Sequence, residues 1–494
     1  MNYEESVRSL YALGRELAAP QQARVQKFGL ENIRVLSTAL GDPHLAVPCV
    51  HVAGTNGKGS TAAMIESILR SAGFRTGLYT SPHLERINER IRIDGDEISD
   101  DAFAAAWTRV HSAIESLLAV GKLVAHPTFF ECVTAIAFVV FQRVREFRVL
   151  EDSQPHGRGT PRDDRSAGIS GRGGSQTCAE KPLDFAVYEV GLGGRLDSTN
   201  IVEPEIAVIT PIDFDHENFL GHSIEEIAGE KAGIVKDGAW VVSAPQRPEA
   251  RAVIAARVSE RGARLVEITA LWRLSEMASQ DGFYRAVASG IDGKREISIA
   301  PSLPGKFQIQ NALTAATAAL LLRERGFVIA DHAIAAGISS ARWPGRLERI
   351  SKRPAIYLDG AHNPAAAREL KSFWEENFSG RRIHLIYGAM RDKAVDEVAG
   401  LLFPLAESVT LTQPRQSRAI SAPLLAEITA GLARRASTIP DPAEALDRVL
   451  AAAAPGDVIF VTGSLFLVGD LRCYWFSRGL QTSANAAPNA RRGV

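Results

Sequence analysis

Seven consecutive residues, Gly54-Thr55-Asn56-Gly57-Lys58-Gly59-Ser60, place three glycines, one cation and two hydroxyls in a single short turn. They follow an apolar, β-branched run from Val47 to Ala53, which predicts a buried strand, and they precede a helical pattern from Ala62 to Arg70. A glycine-rich strand-to-helix turn lets backbone N–H groups come close to a phosphate chain, and the following helix adds the positive end of its dipole. Lys58 would supply the point charge for the outer phosphates, and Ser60 and Thr61 would offer hydroxyls to a magnesium ion. The spelling departs from the common nucleotide-binding loop, because Val52 or Ala53 stands where its first glycine belongs and Gly59 separates Lys58 from Ser60. A tight connection that binds nothing is the plain alternative, and the lysine inside the turn argues against it.

Other residues with chemical potential sit at similar junctions. Glu189 lies within an apolar strand pattern, Phe185 to Val190, where an unpaired carboxylate is costly; a cation is expected beside it, and magnesium is the economical candidate. The predicted strand Thr76 to Tyr79 runs into Thr80-Ser81-Pro82-His83, which puts a hydroxyl and an imidazole at the carboxyl edge of a sheet, where open α/β proteins bind ligands. His216 follows Asp215 after a further strand, Ile206 to Thr210. A lone histidine is more often structural than a ligand, but a strand end already rich in ligands shifts that balance. Lys231, in Glu230-Lys-Ala-Gly-Ile-Val235, reads as a surface lysine from the sequence alone. In Thr128-Phe129-Phe130-Glu131, at the start of a long helix, the aromatics can stack on a flat heterocycle or belong to the core, with core favoured for Phe130.

The loop Gly54 to Ser60 resembles the ATP loop of the Mur ligase superfamily, and the glycine after the lysine is similar to its folylpolyglutamate synthase and dihydrofolate synthase branch. Further motifs in the same order extend the resemblance over about residues 20 to 475: Ser81-Pro-His83, Glu189-Val-Gly-Leu-Gly-Gly-Arg195-Leu196-Asp197, the Glu230-Lys231 context, Gln-Asn311-Ala-Leu and Asp359-Gly-Ala-His-Asn-Pro364. The resemblance implies ATP contacts from the loop residues Gly54, Thr55, Asn56, Gly57, Lys58, Gly59 and Ser60 and from Asn311, Arg346 and Asp359. It implies magnesium contacts from Ser60, Ser81, Glu189 and His216, and a carbamylated Lys231 that helps hold a second magnesium. A pteroate or folate pocket would come from Phe28, Gly29 and Leu30, from Thr128, Phe129, Phe130 and Glu131, and from Leu196, Asp197 and Ser198, although simple packing explains Phe28 to Leu30 equally well. Ser198 departs from the family pattern, in which alanine is common at that position. Two magnesium ions and a monovalent cation are the implied ions.

The rest of the chain must position these groups. With 494 residues there is room for about two or three domains. A formal net charge of −1 gives no basic excess that would suggest a nucleic-acid partner. The first twenty residues carry Glu4, Glu5, Arg8 and Glu16 and do not read as a secretory signal. The longest apolar run, Cys132 to Phe141, is about half the length of a membrane span and predicts a buried helix. Cys49, Cys132, Cys178 and Cys473 show no pairing or metal-ligand spacing, which points to a reducing cytoplasm. Residues 151 to 182 are polar and glycine-rich and read as a flexible insertion, and the tail 481–494 as disordered.

The expected fold is α/β: an ATP-binding domain of Mur ligase type over 1–342, then a smaller Rossmann-like domain over 346–480. Strands at Ala355 to Leu358, Ile383 to Tyr387, Ser408 to Leu411 and Val458 to Thr462 alternate with helices and predict a parallel sheet with helices on both faces. The implied activity is ATP-dependent ligation of L-glutamate to dihydropteroate, to tetrahydrofolate and to its polyglutamates through an acyl phosphate, carried out by a monomer. A dedicated polyglutamate synthase and another Mur-type amino-acid ligase are the enzymatic alternatives. A nucleotide-dependent switch would need the loop but not a second nucleotide-contacting domain.

Overall fold

The computed structural model describes residues 1–14, 29–151, 183–391 and 393–479. The expected insertion beyond Glu151, the tail and Phe28 lie outside the described residues.

The first sheet holds eight strands: β1 Cys49–Ala53, β2 Thr76–Tyr79, β3 Ile91–Ile93, β4 Asp96–Glu97, β5 Phe185–Glu189, β6 Ile206–Ile209, β7 Trp240–Ser243 and β8 Arg264–Glu267. Their order is β4-β3-β2-β5-β1-β6-β7-β8, with β2 to β8 parallel and β3 and β4 added antiparallel at one edge. All five residues of β1 are buried, as a central parallel strand covered on both faces requires. Val50 and Val52 pack with the helices Lys58–Ser71 and Phe307–Glu324 on one face, while Cys49 joins the cluster around the helix Phe129–Glu151 on the other. The apolar run Cys132 to Phe141 is buried inside that last helix, and no helix among the described residues is long and apolar enough to cross a membrane.

A second, antiparallel sheet of β9 Trp272–Gln280, β10 Phe283–Gly290 and β11 Glu296–Ile299 turns at Asp281-Gly282 and around Gly293. Alternate residues of β10 and β11, Tyr284, Ala286, Ala288, Ile297 and Ile299, face the helix Phe307–Glu324. That helix is therefore enclosed on nearly every side, and its buried positions run almost without a break from Gln308 to Leu322.

The third sheet orders β12 Glu348–Lys352, β13 Ala355–Leu358, β14 Ile383–Tyr387, β15 Ser408–Leu411, β16 Ala436–Thr438 and β17 Val458–Thr462 as β12-β13-β17-β14-β15-β16. It corrects the all-parallel expectation at one edge, because β12 pairs antiparallel with β13. Only Arg353 and Pro354 separate these two strands, and a parallel crossover needs a dozen residues or more. The sheets are tied together: Tyr284 shares a hydrogen bond with Glu376, Arg368 donates to Asp213 at 3.2 Å, and Lys393 donates to Asp215 at 2.7 Å.

Candidate active site

The register of the first sheet brings four strand ends together. Val52 lies opposite Glu189, Ala53 opposite Ile209 and Tyr79 opposite Tyr188, so Gly54, Ser81, Glu189 and Thr210 all emerge at one carboxyl edge. Between them runs the turn Gly54 to Gly57. Gly57 has φ 84° and is the N-cap of the helix Lys58–Ser71, which receives no side-chain cap. A Cβ on Gly57 would lie 2.5 Å from Asn311 Oδ1, and one on Gly54 2.9 Å from the Thr210 carbonyl oxygen. Thr55 Oγ1 donates to the Asp213 carbonyl at 2.9 Å, which anchors the turn to the end of β6. The geometry is that of a cradle with its first helical N–H groups uncapped by side chains.

Lys58 folds back over this turn and donates to the Thr55 carbonyl at 3.1 Å. Burial lowers its pKa, opposed by Glu189 and Asp215. Glu189 is 4% exposed, accepts the Ser81 N–H at 3.2 Å and has no ion pair among the described residues. Burial raises its pKa and Lys58 is the strongest opposing influence. A buried carboxylate without a paired cation, at the same sheet edge as the glycine turn, fits a divalent ion.

The structure corrects the surface reading of Lys231. It is 4% exposed, and its Nζ donates to the Gly54 carbonyl at 2.9 Å, directly behind the cradle. Burial, aided by Lys58, lowers its pKa to about 7 against the pull of Asp215 and Asp197. His216 caps a short helix, Glu217–Leu220, with φ 52°, and its Nε2 lies 3.2 Å from Lys393 Nζ. A metal at that nitrogen would have to displace the ammonium.

Asp215 is the main residue that the sequence reading left out. Lys393 at 2.7 Å, Asn363 Nδ2 at 3.3 Å and His362 Nε2 at 3.6 Å converge on it from the third sheet. Its own burial would raise its pKa, but His216, His362 and Lys393 outweigh this and hold it well below the ordinary carboxylate range. Asn56 and Asn363 add a direct amide contact, Asn363 Nδ2 donating to Asn56 Oδ1 at 3.1 Å. The Asp-Phe-Asp-His run and the His-Asn pair were visible signals for this cluster; nothing in the sequence around Lys393 pointed to it.

Of the expected nucleotide contacts, Asn311 stands against Gly57 and donates to Gln308 Oε1 at 2.9 Å. Arg346 lies beside the loop after β13, where a Cβ on Gly360 would be 2.8 Å from its Nη1. Asp359 accepts the N–H groups of Leu347 and Ala361, each at 2.9 Å, so both carboxylate oxygens brace the loop itself.

Beside the cradle a cavity of about 540 Å³ opens, lined by Ser81, by Thr128 to Glu131, by Leu196 to Ser198, by Gly29 and, from the third-sheet side, by His362 and Arg418. Leu30 does not line it and packs instead against the adjoining core. Thr128 and Glu131 form a reciprocal cap: Glu131 Oε2 accepts from Thr128 N at 2.8 Å, and Thr128 Oγ1 accepts from Glu131 N at 3.3 Å. Phe129 is buried and stacks on Tyr11 at 5.6 Å, whereas Phe130 is only partly buried, so the more core-like of the two is Phe129. Asp197 accepts the N–H groups of Gly191 at 3.0 Å and Leu192 at 2.9 Å and thereby shapes the glycine turn after β5. Ser198 shares a hydrogen bond with Thr134 at 2.7 Å.

Comparison with known proteins places this geometry. Residues 174–319 match the Mur ligase middle domain and residues 345–465 the Mur ligase glutamate ligase domain. A dihydrofolate synthase/folylpolyglutamate synthase of Bacillus subtilis is 33% identical over 453 residues, covering 90% of this chain and 94% of the relative. The structure of Escherichia coli FolC in complex with DHPP and ADP superposes with a TM-score of 0.77 at 28% identity, covering 97% of this chain and 99% of that one. A bifunctional folylpolyglutamate synthase/dihydrofolate synthase of Yersinia pestis, complexed with AMPPNP and Mn ion, gives 0.75 at 28% identity, covering 95% and 98%. With a cradle, a buried carboxylate and a cavity on one sheet edge, and with relatives matched over nearly their whole length, this chain belongs to the folylpolyglutamate synthase/dihydrofolate synthase family of Mur ligases.

Proposed function

We propose that this chain ligates L-glutamate to dihydropteroate and to the γ-carboxylate of reduced folates at the expense of ATP. The observation that carries this reading is the junction at Ser81, a residue that lines the cavity while its N–H holds Glu189 beside Lys58 and the cradle. An acceptor carboxylate in the cavity can therefore reach the outer phosphate of a nucleotide in the loop. Its oxygen attacks the γ-phosphorus and ADP leaves, giving an acyl phosphate. The amino group of glutamate then attacks the acyl carbon, releasing phosphate and a proton and forming the amide. Phosphoryl transfer of this kind needs positioning and charge neutralisation more than covalent help, and the loop N–H groups and Lys58 supply both.

A divalent ion at Glu189, with Ser60 and Ser81 beside it, would supply further neutralisation of the phosphates. Lys231, its pKa lowered to about 7 behind the loop, has far more of the uncharged amine, the form that adds CO₂, than an ordinary lysine; its carbamate would turn an ammonium into an anionic ligand for a second magnesium. The contacts of Asp215 with Lys393, His362 and Asn363 supply a closing surface between a unit spanning 1–342 and one spanning 346–480, with Asn311 and Arg346 meeting the nucleotide between them.

ADP release should require L-glutamate together with dihydropteroate in one assay and with a reduced folate in another. Release with the reduced folate alone would make the protein a dedicated polyglutamate synthase. Release with neither would refute the ligase reading.

A further inference from the structure

Away from the cradle, three ligand-type side chains converge, one of them, His126, on the lining of the cavity. His111 and Glu115 are four residues apart on the helix Asp100–Ala119 and so share one face, while His126 comes from the turn that leads into the helix Phe129–Glu151. One donor atom from each residue lies within 4.8 Å of the other two. Binding an ion would require the three donors to close to about 2 Å from a common centre.

The surroundings leave these donors available. His126 Nδ1 lies 2.8 Å from the Pro127 carbonyl. A carbonyl can only accept, so Nδ1 carries the proton and Nε2 presents its lone pair, the arrangement by which a backbone oxygen orients a metal-binding imidazole. His111 packs its ring against Trp107 at 5.2 Å, and its enclosed Nδ1 has no hydrogen-bond partner among the described residues. Such an orphaned ring nitrogen is uncommon without a ligand. Glu115 is exposed and forms no ion pair among the described residues.

We infer that His111, Glu115 and His126 form a binding site for a divalent transition-metal ion of the zinc class. Two imidazoles and one carboxylate are a zinc donor set with a fourth position open to water, and magnesium, which prefers oxygen ligands, competes poorly for it. The ion ties the turn carrying His126 to the helix carrying His111. Because His126 and its neighbours Pro127 and Thr128 line the cavity, the tie stiffens the cavity rim. Only this last consequence, an effect on pteroate binding, rests on the proposed function; the metal site does not.

The test uses the full chain, stripped with a chelator and returned to excess magnesium, with Zn²⁺ titrated calorimetrically and Co²⁺ followed by its visible absorption. One site is expected, with affinity reduced more than about tenfold in Glu115→Gln and in His126→Ala and unchanged in Glu189→Gln. Glu115→Gln alters an exposed group of the same shape and keeps the fold. Absence of zinc binding, or equal binding by wild type and both rim variants, overturns the site. In the ligase assay zinc should shift KM for the pteroate in wild type and not in His126→Ala; a shift of the same size in both overturns the rim effect. Absence of ADP release both with and without zinc, alongside intact zinc binding, would count against the ligase reading alone.

Discussion

The loop after β1 and the loop after β13 are the same device used in opposite ways. Each follows the carboxyl end of a parallel strand and opens a helix, Lys58–Ser71 in one case and Pro364–Asn377 in the other. After β1 the N-cap is Gly57, left-handed and without a side chain, so the loop offers backbone N–H groups outward. After β13 the N-cap Asn363 accepts the Ala366 N–H at 2.8 Å, and Asp359 takes the N–H groups of Leu347 and Ala361. That loop has satisfied its own donors. A strand-to-helix junction thus becomes an anion cradle where glycine leaves the donors unclaimed, and a braced wall where Asp and Asn claim them.

Substitutions at four positions would sharpen or break this contrast. Lys58→Ala should reduce kcat by about a hundredfold or more with little change in thermal stability, because it removes the cradle's charge and no packing of consequence. If the variant kept more than about a tenth of the wild-type rate, a loss under ~1.4 kcal/mol, the cradle role would fall. Lys231→Ala should be nearly inactive for a different reason, loss of the anionic carbamate, and Lys231→Glu should restore part of the rate. Carbon NMR after equilibration with isotope-labelled bicarbonate reports the carbamate directly; an active, magnesium-loaded enzyme showing no such signal would count decisively against it.

At the wall the expected effect moves from rate to stability. Asp359→Ala leaves the buried Leu347 and Ala361 N–H groups without their acceptor and should cost about 1–3 kcal/mol in urea unfolding. A drop in kcat with unchanged stability would instead make Asp359 a ligand-contacting group and erase the contrast.

The smallest effect concerns His51, on β1 beneath the cradle. It is fully buried, shares a hydrogen bond with Thr199 at 2.8 Å, and burial followed by Lys236 lowers its pKa to about 3. The unfolded chain takes up this proton at about pH 6.5, so the stability that the neutral ring contributes is present above that pH and declines as pH falls toward 3, by at most about 1.4 kcal/mol per unit. His51→Gln should flatten the fall in unfolding free energy between about pH 6.5 and pH 5 relative to wild type. Identical slopes in both proteins would mean that the imidazole is protonated in the folded state.

Much of this architecture was written locally in the chain. Thr76–Tyr79, Ala355–Leu358, Ile383–Tyr387, Ser408–Leu411 and Val458–Thr462 are strands at the residues where short runs with strand-forming side chains between turn residues predict them. The start of the helix at Asn363-Pro364 is set just as locally, since a cap is a contact between neighbours three residues apart. At Asp441-Pro-Ala-Glu444 the cap is likewise local: Asp441 accepts the Glu444 N–H at 2.9 Å, while the Glu444 carboxylate turns to Arg448. The glycines of the loop announced a cradle because their function is steric and short-ranged.

What the sequence could not determine lies in contacts between distant segments. Lys231 looks like a solvent-facing lysine in its own helix, yet it is buried against the turn at Gly54, 177 residues away, and that burial lowers its pKa to about 7. Lys393 reaches Asp215 across 178 residues, and no local pattern records such a pairing. Periodicity and capping report on a chain's immediate neighbours; burial and charge balance, which tune the chemistry at this sheet edge, depend on which surfaces meet after folding.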